Sequence, residues 1–268
     1  MKRLQKLAAT LFVATAFFMP APASAVPVDL ELLLLADVSG SLDNTDFTLQ
    51  RDGYAAAFQN AGIVSQIENG AIGSIAVQLV YWSDAQAVAV PWTLISDAAS
   101  SNAFAAAVTA APRPFAGGTG MTAALTAGTP MFTDNGYEGT RLVIDVSGDG
   151  SESNVCSFSN PLCVPLQNAR DNALGSGIDT INALWIDDRD FFGDDPQDII
   201  DAVLYGQNNV IGGPGAFSGI AQDFQSYAPA ILSKIERELT PTIPEPSTFI
   251  LLGLGIAGLG YARRRFKK

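Results

Sequence analysis

Between residues 26 and 239, runs of consecutive apolar residues alternate with stretches in which apolar positions recur every three or four residues. Leu30 to Leu35 is an almost unbroken apolar run that ends at Asp37. A strand apolar on both sides is covered on both faces, as in parallel sheets. Asp43 to Asn60 carries Phe47, Tyr54 and Phe58 at helical spacing, with Asn44 placed to cap the helix. Ile75 to Tyr81 predicts a second strand, and Ala85 to Val90 an edge strand beside it. Asp97 to Ala110 is Ala-rich and helical, and a glycine loop, Gly117 to Gly120, opens a helix running to about Met131. Leu142 to Val146 is a third buried strand, Gln167 to Leu174 a helix and Thr180 to Ile186 a strand. Asn209 to Ile211 reads as a final short strand and Phe217 to Leu239 as a long helix. Trp82, Trp92 and Trp185 lie in or beside strands and read as core. This alternation predicts an α/β fold: a mostly parallel central sheet, helices on both faces and one antiparallel edge strand.

The two ends have a different pattern. Lys2, Arg3 and Lys6 precede an apolar run, Leu7 to Phe18, and then Ala23-Ser24-Ala25. That order predicts a secretory signal over residues 1–25, cut after Ala25. At the other end, a short linker (240–243) leads to Pro244-Glu245-Pro246, an apolar run over residues 248–262, and Arg263, Arg264 and Arg265. A short apolar segment stopped by cations predicts a transient membrane anchor with its basic plug in the cytoplasm. Residues 244–268 resemble the PEP-CTERM sorting signal of Gram-negative bacteria. That resemblance implies an exosortase-type processing protease as partner. It also implies an inner-membrane-anchored precursor, and a mature form at the cell surface or in the extracellular matrix.

Setting the ends aside changes the charge. The whole chain has a formal charge of -12, but the body has seven basic residues against 26 acidic ones, a net of -19. Such a surface repels nucleic acid and anionic lipid and suits divalent cations. There is no histidine, which removes Ser-His and Cys-His nucleophile pairs and His zinc sites. Cys156 and Cys163 are the only cysteines. In an exported chain they predict a disulfide, closing a short loop that contributes roughly 2 to 2.5 kcal/mol.

Candidate chemistry gathers where central strands end, the place where open α/β sheets bind ligands. Asp37, Ser39 and Ser41 stand at alternate positions in ADVSGS; Asp145, Ser147 and Asp149 alternate in VIDVSGDGSES; and GGTGMTAAL offers Thr119, with Thr122 as a competitor. Oxygen-only ligands select hard cations, and magnesium takes one or two carboxylates while keeping waters. Asp145 lies inside the apolar run, where a lone carboxylate is costly unless paired. It is therefore a candidate to support the ligands rather than to be one, as is Thr122, the competitor to Thr119, Thr119 being preferred for its position before AAL. A second acidic group, Asp187, Asp188, Asp190, Asp194, Asp195 and Asp198, flanks Phe191 and Phe192 without EF-hand spacing and reads as a solvated loop.

DVSGS, GGTGMTAAL and the apolar strand ending in SGDG resemble, in that order, the von Willebrand factor type A domain, Rossmann-like in fold. LQRDGYAAAF, VPWTLI, RLVIDVSGDG and VIGGPGAF are similar to one bacterial branch catalogued only as a domain of unknown function. The resemblance covers Val28 to Leu239, within a domain expected over residues 26–239. It implies a metal-ion-dependent adhesion site built from Asp37, Ser39, Ser41, Thr119 and Asp149, holding one divalent cation, with magnesium ahead of manganese and calcium.

The expectation is a non-enzymatic surface or matrix protein that binds a protein or exopolysaccharide ligand. One alternative is a structural matrix protein in which the metal is architectural. The other is a metal-assisted hydrolase, in which Asp145 or Glu152 would have to serve as the base.

Overall fold

The computed structural model describes residues 24–156, 162–187 and 196–240. Almost all of the expected signal, the whole sorting segment with its apolar run 248–262, and most of the second acidic group lie outside them. Among the described residues no helix is long and apolar enough to cross a membrane.

The elements in chain order are β1 (Val26–Val28), β2 (Leu30–Asp37), α1 (Asn44–Gln59), α2 (Ala61–Glu68), β3 (Ile75–Trp82), β4 (Gln86–Ile95), α3 (Ala98–Ala110) and α4 (Met121–Gly128). A 3-10 turn, Thr129–Phe132, extends α4. There follow β5 (Tyr137–Gly139), β6 (Leu142–Gly148), α5 (Val164–Gly175), β7 (Thr180–Ile186), α6 (Pro196–Asn209), β8 (Ser218–Ala221) and α7 (Tyr227–Leu239).

Six strands form one sheet in the order β4-β3-β2-β6-β7-β8, and β1 pairs with β5 in a small second sheet. Every pairing in the large sheet is parallel except β3 with β4. The apolar runs explain this. All eight residues of β2 and all eight of β3 are buried, so these strands need cover on both faces. One face packs on α1, α3 and α7 through Phe47, Tyr54, Phe58, Phe104, Tyr227 and Ile231. The other packs on α4 and α5 through Met121, Leu125, Leu166 and Ala173, with Tyr205 of α6 joining it. Trp82 and Trp185 are buried in this second core, and Trp92 packs against it.

The structure corrects the sequence reading at several ends. Asp43, not Asn44, caps α1: its carboxylate accepts from the N–H groups of Thr45 (2.5 Å) and Asp46 (2.9 Å). The edge strand runs five residues further, to Ile95, past register shifts between Val77 and Val80. The last strand is Ser218–Ala221 rather than Asn209–Ile211, where only a single bridge, Ile181 with Gly212, forms. The final helix therefore starts at Tyr227 instead of Phe217.

Candidate metal centre

Asp37 is the last residue of β2, paired with Trp82 of β3, while the preceding Ala36 pairs with Ser147 of β6. It is fully buried. Its Oδ1 accepts the Ser39 N–H at 2.7 Å, an Asx turn that bends the chain over the strand end. Its Oδ2 is buried and has no hydrogen-bond partner. The Ser39 and Ser41 hydroxyls are 3.1 Å apart. Gln50 donates to the Asp37 carbonyl at 2.8 Å, and Arg113 donates to the carbonyls of Val38 (3.0 Å) and Ser39 (2.7 Å). These bonds fix the backbone of the first loop.

The second loop is tied to the first by the Gly40 N–H on the Gly117 carbonyl at 2.7 Å. A Cβ at Gly117 would stand 2.3 Å from Asp84 Oδ2, and one at Gly118 2.4 Å from Asn154 Oδ1. The glycine pair is needed because Asp84 and Asn154, joined to each other at 2.9 Å, close directly onto this backbone. Thr119 follows, half-buried. Its N–H donates to Ser153 Oγ at 2.9 Å, and its carbonyl accepts the Ser153 N–H at 2.9 Å. Thr122 lies one turn on in α4 with its hydroxyl buried and without a hydrogen-bond partner.

The third loop leaves β6 at Gly148. A Cβ there would be 3.2 Å from Asp37 Oδ2, so the chain carrying Asp149 passes directly over the Asp37 carboxyl. Asp149 is 6% exposed. Burial raises the Asp37 carboxyl well above its ordinary value, and the Asp149 charge adds to that, outweighing the Ser39 bonds and Arg113. Two carboxylates sharing a water-poor site is a costly arrangement unless a cation or a proton joins them. The donor set is oxygen only, which suits a hard cation. The orphaned Asp37 Oδ2, the paired serine hydroxyls and the adjacent Asp149 fit such an ion. Among the described residues no group of three or more His, Cys, Asp or Glu is placed to hold a metal, so hydroxyls would have to complete the shell.

The structure brings the loops of Asp37, Ser39, Ser41, Thr119 and Asp149 to one end of the sheet. It does not bring Asp145 there. Asp145 pairs in register with Leu34 of β2, three residues before the end of that strand, and its carboxylate is ion-paired with Lys234 of α7. Asp145 therefore supports the helix layer, where Lys234 also meets Glu238 at 3.4 Å. Between these two places Ser147 takes hydroxyl contacts from Tyr54 (2.8 Å) and Tyr227 (3.2 Å). Cys156 and Cys163 are disulfide-bonded with Cα atoms 5.6 Å apart, shortly after the Asp149 loop.

The sequence reading missed Arg113, Asp84, Ser153 and Asn154. They act through backbone carbonyls and loop contacts, and only the Gly117-Gly118 pair signalled that something approaches closely. Glu152 was read only as a base for an alternative chemistry. It is 1% exposed, and its carboxylate accepts from the N–H groups of Thr122 (2.6 Å) and Asn154 (2.9 Å).

A family model described as a protein of unknown function, DUF1194, matches residues 27–243. A model of the PEP-CTERM protein-sorting motif matches residues 242–265. No curated protein matches significantly in sequence. Among solved structures, proximal thread matrix protein 1 from the mussel byssus superposes with a TM-score of 0.52 at 12% identity, covering 81% of this chain and 50% of that one. The same protein with a zinc-occupied MIDAS motif gives a TM-score of 0.51 at 13% identity, covering 81% and 49%. The pilus adhesin SpaC from Lactobacillus rhamnosus GG gives 0.52 at 17% identity, covering 80% and 31%. The chain thus spans about half the length of the mussel protein and a third of the adhesin.

Proposed function

The chain belongs to the DUF1194 family of proteins of unknown function and has a von Willebrand A-like fold, and from that premise we propose that it is a surface or matrix binding module built around one divalent cation. Its PEP-CTERM motif implies export across the membrane and processing by an exosortase. Its destination, in this reading, is the Gram-negative cell surface or the matrix around it, reached after cleavage of a signal at Ala25 and release of the tail.

The observation that carries the proposal is the buried, partnerless Oδ2 of Asp37 beneath the loop that bears Asp149. Asp37, Ser39, Ser41, Thr119 and Asp149 would hold the ion, with magnesium the best match to two carboxylates plus hydroxyls and waters. The ion would supply an open position that an acidic or otherwise oxygen-rich group of a protein or polysaccharide could fill. That a mussel thread protein of similar fold has a zinc-occupied MIDAS motif supports the choice of site, not of metal.

The module would capture rather than turn over its ligand. Hydrolysis by metal-bound water needs a general base, and both candidates are engaged elsewhere: Asp145 with Lys234 and Glu152 with two backbone N–H groups.

Calorimetric titration of magnesium into the wild type and Asp37→Ala tests the reading. The wild type should give a saturable one-site isotherm and the variant none. Equal heats from both would end the claim.

A further inference from the structure

We propose that Glu152 is a positioning residue of the cation site, a buried strut that fixes the threonine loop against the aspartate loop. This rests on the cation reading above and goes beyond it by naming what sets the geometry, and so the selectivity, of the site.

Glu152 lies three residues after Asp149. Its Oε2 receives the Thr122 N–H at 2.6 Å, and its Oε1 receives the Asn154 N–H at 2.9 Å. Its own N–H donates to the Tyr205 hydroxyl at 3.2 Å, which roots the strut in α6. Thr122 is in the first turn of α4, whose Gly120 cap has no side-chain hydrogen bond. The Glu152 carboxylate, although it comes from a different loop, therefore does the work of a cap. It satisfies an otherwise orphaned N–H and places a negative charge at the helix's positive end. Thr119 lies three residues before that contact and is held from the same loop by the reciprocal Ser153 bonds, both 2.9 Å. Residues 152–154 thus grip residues 119–122 at three points. Only one of the three, Glu152 to Thr122, is charge-assisted, the stronger class of hydrogen bond, and its acceptor comes from a buried side chain. A carboxylate with both oxygens committed to backbone donors does not move to reach an ion. It holds still the elements that do.

Magnesium demands near-ideal octahedral geometry, whereas calcium tolerates variable ligand distances and numbers. A strut that fixes Thr119 relative to Asp149 therefore matters more for the smaller ion. Removing a group that orients metal ligands commonly weakens affinity by about 10–100-fold. The expectation for Glu152→Ala is a loss in that range for magnesium and a clearly smaller loss for calcium, so that the magnesium-to-calcium selectivity falls. Glu152→Gln keeps the length and one acceptor oxygen, and should lie between Glu152→Ala and the wild type for both ions.

The experiment is calorimetric titration of the full chain and its variants with magnesium and, separately, calcium. It is run at a temperature where circular dichroism shows each variant folded. A role confined to stability would lower Tm and leave the selectivity ratio untouched. Unchanged magnesium affinity in folded Glu152→Ala, or an equal loss for both ions, overturns the proposal. Should Glu152→Ala not fold, Glu152→Gln decides on the same ratio. Asp37→Ala separates the two levels. If it binds magnesium as the wild type does, the cation reading and the strut fall together. If it abolishes binding while the Glu152 variants behave as wild type, the cation site stands and the strut alone falls.

Discussion

At the scale of the residue, the decisive group is Asp37. Its native carboxyl is raised well above 3.8, first by burial and then by Asp149. The folded, metal-free protein therefore holds that proton more tightly than the unfolded chain. Stability of this kind is fully present below the unfolded value and is lost as pH rises through the native one. The metal-free domain should accordingly weaken from about pH 4 toward neutrality, and magnesium should reverse the loss by replacing the proton. Asp37→Asn removes the charge but keeps the shape. At pH 7 and without metal it should melt above the wild type, each kcal/mol gained being worth roughly 2–4 °C in a domain of this size. At pH 4 the two should converge, and magnesium should no longer raise the variant's Tm. Calorimetric scans at both pH values with and without magnesium check this. The exposed caps Asp43, lowered first by the Asp46 N–H, and Asp97, lowered first by the Ser100 hydroxyl and then by its N–H, shift stability in the opposite sense but cancel in the comparison.

At the scale of the element, α7 is fastened to the sheet by charge as well as by apolar packing. Lys234 lies between Asp145 and Glu238, all three 3% exposed or less, and Asn182 of β7 donates to Glu238 at 3.1 Å. Breaking such a group from one side leaves buried charge uncompensated, at about 3–5 kcal/mol. Lys234→Ala should cost that much in urea denaturation, while the triple change Asp145→Leu, Lys234→Met, Glu238→Gln should recover most of it. The elements also show what was legible in the chain. The runs of β2, β3, β6 and β7 announced themselves because strands buried on both faces carry few polar positions to break the signal, such as Glu31, Gln78, Asp145 and Asn182. β8 did not: its three half-buried positions, Gly219 among them, carry little pattern, whereas Val210-Ile211 nearby is apolar but forms no strand, the one bridge to β7 there being made by Gly212. The loops carrying Asp37, Ser39, Ser41 and Asp149 were legible because they follow strand ends, and that of Thr119, which follows α3, because of its glycines. The placement of Asp145 was not, because its partner Lys234 is 89 positions away and only the register of β6 against α7 brings them together.

At the scale of the whole molecule, polarity of the sheet separates what binds from what anchors. The parallel strands all run toward the candidate site. Thr240 lies at the opposite pole, its carbonyl accepting from Arg141 at 3.2 Å just before β6 begins, and Glu238 accepts from the same side chain. Val26 starts there as well, one short strand before β2. The eight residues of β2 put roughly 25 Å between the poles. In a precursor still held by residues beyond 240, the site would therefore face away from the tether. The body's charge of -19 would then set how an acidic ligand of the proposed site arrives. Long-range repulsion slows the approach, and salt screens it over a Debye length of about 10 Å at 0.1 M, whereas direct coordination of a carboxylate to a buried-side cation is screened far less. Residues 26–240, immobilised through the C-terminal end and offered alginate as a carboxylate-bearing polysaccharide probe, should capture it in magnesium and release it in chelator. Raising monovalent salt from about 20 to 150 mM at fixed magnesium should speed association and leave dissociation nearly unchanged. Interferometry measures both rates. Capture that slows with salt would mean that the probe is held by basic side chains, and capture indifferent to chelator would mean that the cation has no part in it.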